Sequence, residues 1–206
     1  MNKPNIAKIK ARLCEKSPGD LMHYTCSIMA VFMVVVIIMY SFTMRRTTMC
    51  KTLLEDGLVA AALAGAVPDS NRFADSGDLC IPDPKVSFGQ FKTAITANYN
   101  LQGNLNTVQS AFLSGPVDIL QYTVYNVEGS AVSVSSIDPN SGGIASTTTG
   151  SIGAITTPNG KQVDATTIFV EIGVNVKAMQ IKIFGINSEA ATQYVKVAKA
   201  VSIVQA

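Results

Sequence analysis

The residues able to do chemistry are few, and their spacing does not assemble a catalytic set. The chain has one histidine, His23, among 206 residues. A serine or cysteine nucleophile needs a base within hydrogen-bond reach, so no Ser-His-Asp or Cys-His arrangement is available far from His23. The four cysteines, Cys14, Cys26, Cys50 and Cys80, contain no C-x-x-C pair of the kind that holds zinc. Gly150–Gly153 reads Gly-Ser-Ile-Gly, without the Lys-Ser/Thr of a phosphate loop or the spacing of a dinucleotide fingerprint. Asp69, Asp75, Asp78 and Asp83 crowd one segment but do not follow the calcium-loop pattern, and a solvated acidic loop is expected there. The chain is therefore expected to carry no catalytic residue, no metal and no cofactor, which leaves structural or binding roles.

The elements that would support such a role begin with Leu21–Met44, a run without Asp, Glu, Lys or Arg. As a helix it would be about 36 Å long, enough to cross about 30 Å of hydrocarbon. A cleaved secretory signal has a shorter apolar stretch and a small-residue cleavage site. Here the run ends in Met44-Arg45-Arg46, so a retained single membrane span is predicted. Lys3, Lys8, Lys10, Arg12 and Lys16 precede it, and Arg45, Arg46 and Lys51 follow it. The positive-inside rule then places the N-terminus in the cytoplasm and the rest of the chain outside it. From Pro68 onward eight Lys/Arg face ten Asp/Glu, which offers nucleic acid no basic surface. Under this topology Cys50 and Cys80 lie outside, where they could close one disulfide or stay as two thiols.

Beyond the span, Arg46–Val67 keeps helix-forming residues and no proline, and Leu53, Leu54, Leu58, Ala61, Ala62 and Gly65 fall near helical spacing. One helix over residues 20–67 is expected, with residues 1–19 a basic leader or cytoplasmic tail. A loop over Pro68–Pro84 follows. Phe88, Phe91, Ile95 and Tyr99 then recur at i, i+3, i+7 and i+11, the apolar face of a second helix. After Asn106 the pattern changes to strands. Val117–Val127 and Ala131–Val134 flank Glu128-Gly129-Ser130 as a hairpin. Ser141–Gly153 is small and polar and reads as a flexible loop. Pro158-Asn159-Gly160 marks a tight turn between Ala154–Thr156 and Lys161–Asp164. Thr167–Val176 alternates cleanly, and Met179–Ile183 and Tyr194–Val204 continue the alternation. The apolar sheet face needs a cover, and the two helices are the available material. The predicted fold is thus α+β over residues 68–206, packed against the outer part of the long helix.

A basic leader, a glycine just before an uncharged helix, an amphipathic continuation and a C-terminal β domain together resemble type IV pilin-like proteins. In particular, Gly19-Asp20-Leu21-Met22-His23-Tyr24-Thr25-Cys26-Ser27-Ile28-Met29-Ala30-Val31-Phe32 and Thr166–Gly173 are similar to the TadE-like pseudopilins of tight-adherence pilus systems. The resemblance implies cleavage between Gly19 and Asp20 by a membrane prepilin peptidase, and no enzymatic activity in this chain. The family usually has glutamate five residues into the mature chain. Here Tyr24 stands at that place, and Asp20 supplies a carboxylate nearby. The partners implied are the membrane, the peptidase, other pilin-like subunits and a pilus assembly platform. The helix face expected to meet other subunits runs through Asp20, Tyr24, Ser27, Ala30, Met33, Ala61 and Gly65. The competing expectation is a membrane-anchored binding module or adhesin that is not processed.

Overall fold

The fold is described from a computed structural model for residues 18–108, 110, 112–177, 182–183, 186–187 and 192–203. Residues 1–17, with Cys14, lie outside that set, as do Met179 and Ile181 of one expected strand. Helix α1 spans Pro18–Gly65, and the chain divides into two compact units between Thr48 and Met49.

In the first unit, α1 exposes nearly every apolar side chain from Met22 to Phe42. In the second unit the same helix becomes one-sided. Leu58, Ala61 and Ala62 are fully buried, and Cys50, Leu54 and Ala66 nearly so. The helix ends at Gly65, two residues short of the expected Val67, with Ala66 N–H turning back onto the Leu63 carbonyl ahead of Pro68.

The segment expected to be a plain loop holds a short helix, α2 (Ser70–Ser76). Asp69 caps it by accepting hydrogen bonds from Asn71 N and Arg72 N at 3.0 and 3.3 Å, and Gly77 closes it with φ of 76°. Helix α3 (Pro84–Asn98) starts on Asp83, whose carboxylate accepts from Lys85 N at 2.8 Å, with proline in its first turn. The capping chemistry of Asp69 and Asp83 accounts for two of the four acidic residues gathered in this segment.

The remainder is a five-stranded antiparallel sheet in the order β3-β2-β1-β4-β7. Its strands are β1 (Leu113–Glu128), β2 (Ala131–Ile137), β3 (Ile144–Ser151), β4 (Thr167–Lys177) and β7 (Thr192–Ser202). A two-residue pair, β5 (Lys182–Ile183) and β6 (Ile186–Asn187), forms a separate ladder. The β1–β2 hairpin closes at Gly129-Ser130, with Glu128 opposite Ala131 and Gly129 at φ 57°. Register shifts between Ser114 and Val117 and between Ile119 and Gln121 bend β1. The second shift explains why Val117 and Ile119, then Tyr122 and Val124, all join the same core despite their change of parity.

That core lies between the sheet and the two long helices. Leu54 and Leu58 of α1 and Phe91 and Ile95 of α3 pack on Tyr122, Ile168, Val170 and Ile172. Tyr122 sits at its centre. Its ring centroid lies 5.1 Å from Phe91 and 5.2 Å from Phe88, and its hydroxyl shares a 2.6 Å hydrogen bond with Ser87 Oγ. Burial pushes its ionisation up to about 12. The opposite sheet face carries a smaller cluster of Tyr125, Val132, Val163 and Phe169. The Pro158-Asn159-Gly160 turn stands over this side, with Gly160 N–H on the Thr157 carbonyl, but its arms reduce to the single bridge Thr156–Gln162.

The largest departure from the sequence reading is Ser141–Gly153. Residues 144–151 form strand β3, paired with β2 from Ala131–Ser151 to Ile137–Ile144. Polarity concealed it, because an edge strand needs main-chain partners on one side and no buried side chain. Three consecutive threonines suit extended backbone without any core contact.

Candidate anchoring and assembly surfaces

The first candidate surface is the apolar part of α1. Its most apolar 18-residue window has a mean hydropathy of 2.3, and none of it is buried. A helix wrapped on all sides by Val, Ile, Met and Phe is stable where hydrocarbon surrounds it. The hydroxyls near its end are satisfied within the helix. Ser41 donates to the Ile37 carbonyl and Thr43 to the Met39 carbonyl, each at 2.9 Å. Thr47 and Thr48 bond back to Thr43 and Met44 in the same way. This back-bonding is what lets hydroxyl residues enter a region without water.

The expected assembly face does not survive as one face. Tyr24, Ser27, Ala30 and Met33 are all exposed, but their three-residue steps wind around the helix. At about 100° per residue, Met33 lies about 180° from Tyr24. Tyr24 and Ser27 do share a side, and Asp20 belongs with them by the same count. Asp20 and Gly19 lie in the first turn of α1, and the Asp20 side chain is outside the described set.

Ala61 and Gly65 are corrected more sharply, because both face the domain's own interior. Ala61 is fully buried. A β-carbon on Gly65 would lie 2.8 Å from both the Ser87 carbonyl oxygen and the Tyr122 hydroxyl. Small residues are there to let α1 approach α3 and the sheet. Along one arc α1 instead turns Met49, Leu53, Asp56, Ala60, Leu63 and Ala64 outward in this unit, with Lys51 and Thr52 also exposed. The arc spans about 100° by helical geometry. Its large apolar members Met49, Leu53 and Leu63 are 69%, 56% and 50% exposed and lie together on one arc. Both sides of this stretch are apolar in sequence, so periodicity alone did not say which would be buried.

Cys50 and Cys80 are not joined. Cys50 lies fifteen residues before the end of α1, about 22 Å along the axis. The Cys80 carbonyl accepts from Asp69 N at 2.9 Å, just past the other end of the helix. A disulfide needs the two Cα atoms within about 7 Å. The Cys80 thiol donates instead to the Val127 carbonyl at 3.4 Å, and burial raises its pKa. The neighbouring Ile81 is held by Asn126, whose Oδ1 accepts from Ile81 N and whose Nδ2 donates to the Ile81 carbonyl, both at 2.8 Å.

Two ion pairs join helices to strands. Lys199 Nζ lies 2.8 Å from Glu55 Oε2, bridging β7 to α1, and holds the Glu55 carboxyl below its usual range. Arg72 of α2 pairs with Glu128 at the end of β1. Among the described residues, no three His, Cys, Asp or Glu side chains converge as a metal-binding group. Comparison with family models, curated proteins and solved structures finds no match to the chain.

Proposed function

We propose that this protein is a pilin-like structural or assembly subunit of a cell-surface filament or secretion apparatus, held in the membrane by α1. The observation that carries the reading is the division of labour within one helix. Residues 22–42 are predominantly apolar and exposed nearly all round, while Leu54, Leu58, Ala61, Ala62 and Gly65 form the inner spine of an α+β domain. In this reading the basic leader stays in the cytoplasm and the domain lies outside. A prepilin peptidase cuts between Gly19 and Asp20. The apolar helix gains little by leaving lipid for an equally apolar bundle, so packing and polar contacts must select its partners. Tyr24 and Ser27 mark one side available for that contact. In the outer half, the Met49–Ala64 arc replaces Ala61 and Gly65 as the association surface. The role is scaffolding, without catalysis by this chain.

Co-expression with a prepilin peptidase tests the reading. Mass spectrometry should find a mature chain beginning at Asp20, and Gly19→Ala should retain residues 1–19. If the wild type keeps its leader, or both forms are cut alike, pilin-type processing is rejected and the anchored binding module takes its place.

A further inference from the structure

Strand β3 ends the sheet, and its properties differ from those of the other edge. It pairs with β2 along one side. Among the described residues no strand pairs with its other side, so alternate N–H and C=O groups over residues 144–149 face outward, while the Ser151 carbonyl already accepts from Ala154 N at 3.1 Å. All residues of β3 but Gly150 are exposed. Folded proteins blunt such edges with charge, proline, bulges or brevity. β3 has none of these along its middle. The nearest charges are Asp138 and Lys161, and the only register shift lies at its start, opposite Ser136 and Ile137. The opposite edge, β7, is guarded by Lys196 and by Lys199, which reaches Glu55.

We propose that β3 is a pairing edge whose partner is β3 of a second copy of this chain, antiparallel about a twofold axis near Thr147 and Thr148. Charge selects this partner. A strand without charge meets its own copy without like-charge repulsion, whereas β7 would bring two lysines to the seam. The side chains nearest the axis match as well, since threonine there faces threonine or serine, a favourable cross-strand pair on solvated strands. A twofold axis makes the contact self-limiting and joins two five-stranded sheets into one of ten strands. Copies held in one membrane through α1 are concentrated for the encounter. The pairing does not require cleavage at Gly19, so it stands or falls separately from pilin-type processing.

Twofold antiparallel pairing leaves a sharp signature in cross-linking. A residue on the axis lies about 5 Å from its own copy, inside disulfide range, while one step along the strand the separation exceeds about 8 Å. Single cysteines placed in turn at Ser146, Thr147, Thr148 and Thr149 test this. The full chain, with Cys14→Ser and Cys26→Ser, is reconstituted in lipid vesicles and mildly oxidised. The disulfide-linked dimer should peak at one or two adjacent positions and fall on both sides. A cysteine at exposed Lys92 on α3 sets the background. Lysine at whichever of Thr147 and Thr148 does not carry the best cysteine, placing like charges near the axis, should lower dimer yield at that cysteine by about threefold to fivefold, with an unchanged melting temperature. A flat profile at background level overturns the proposal. So does cross-linking found only between a β3 cysteine and a β7 cysteine such as Gln193→Cys, which would place the other edge at the seam. If the lysine variant does not fold, the cysteine scan alone decides.

Discussion

Substituting Gly65 by alanine separates two roles for the small residues of α1. If Gly65 served contact with other subunits, alanine would leave the isolated domain intact and even favour it. Alanine is better than glycine inside a helix by about 1 kcal/mol, less at a last turn. Gly65 is not among the residues with positive φ, so its backbone accepts alanine without strain. In the folded domain, however, the new methyl would meet the Ser87 carbonyl and the Tyr122 hydroxyl at 2.8 Å and the Phe91 β-carbon at 3.2 Å. None of these is the loose end of a long side chain. Ser87 is helix backbone, and Tyr122 is held by its 2.6 Å bond to Ser87 Oγ and by two aromatic neighbours. Overpacking of this kind costs about 1–3 kcal/mol, and loosening the Ser87–Tyr122 bond adds about 1 kcal/mol. After the propensity gain, a net loss of about 1–3 kcal/mol is expected. For a domain of this size that lowers Tm by about 2–4 °C per kcal/mol. The assay is a thermal melt of the full chain in detergent micelles, followed by near-ultraviolet circular dichroism of the tyrosines. Ala64→Leu, on the exposed side, should stay within about 0.5 kcal/mol of wild type. A Gly65→Ala domain as stable as wild type would refute the inward placement.

Three further outcomes follow from the same structure. Cys50 and Cys80 should react with a thiol reagent only after denaturation, and reductant should leave the melt unchanged. A drop in Tm on reduction, from losing a cross-link worth about 2–4 kcal/mol, would restore the disulfide. Asp83→Ala removes the cap of α3 and should destabilise the domain by about 1 kcal/mol in a urea titration, with an unaltered m-value. Alkali should unfold the domain through its buried tyrosines. Tyr122 ionises near 10 when unfolded and about 12 when folded, so its share of stability is complete below pH 10 and is lost as pH rises to 12. That share is about 3 kcal/mol, and Tyr99, also raised by burial, adds in the same direction. Tyrosinate absorbance should therefore rise together with loss of circular dichroism. A rise that runs ahead of unfolding and accounts for every tyrosine would contradict their burial.

Much of the architecture was legible in the chain because it rests on local patterns. Twenty-four residues without charge can satisfy their backbone only as a helix in lipid or in a core, and Leu21–Met44 has no polar side to suggest a core. The i, i+3, i+7 spacing of Phe88, Phe91 and Ile95 and the period-two alternation of Thr167–Val176 identify a helix face and a strand face directly. Other features depend on contacts between distant residues, which no local pattern encodes. Ser141–Gly153 is a strand because β2 is there to receive it, and its own side chains bury almost nothing. The destination of Ala61 and Gly65 depends on where α3 and Tyr122 settle, since small residues suit an internal contact and an external one equally well. Cys50 and Cys80 lie thirty positions apart in sequence, but a rigid helix of fifteen residues stands between one thiol and the turn that carries the other. The sequence by itself therefore determined the long apolar helix, the helical spine and the strand-rich domain. Only the tertiary structure decided which side of the spine is buried, which strand is left at the edge and which thiols are kept apart, because those are properties of pairing across the fold.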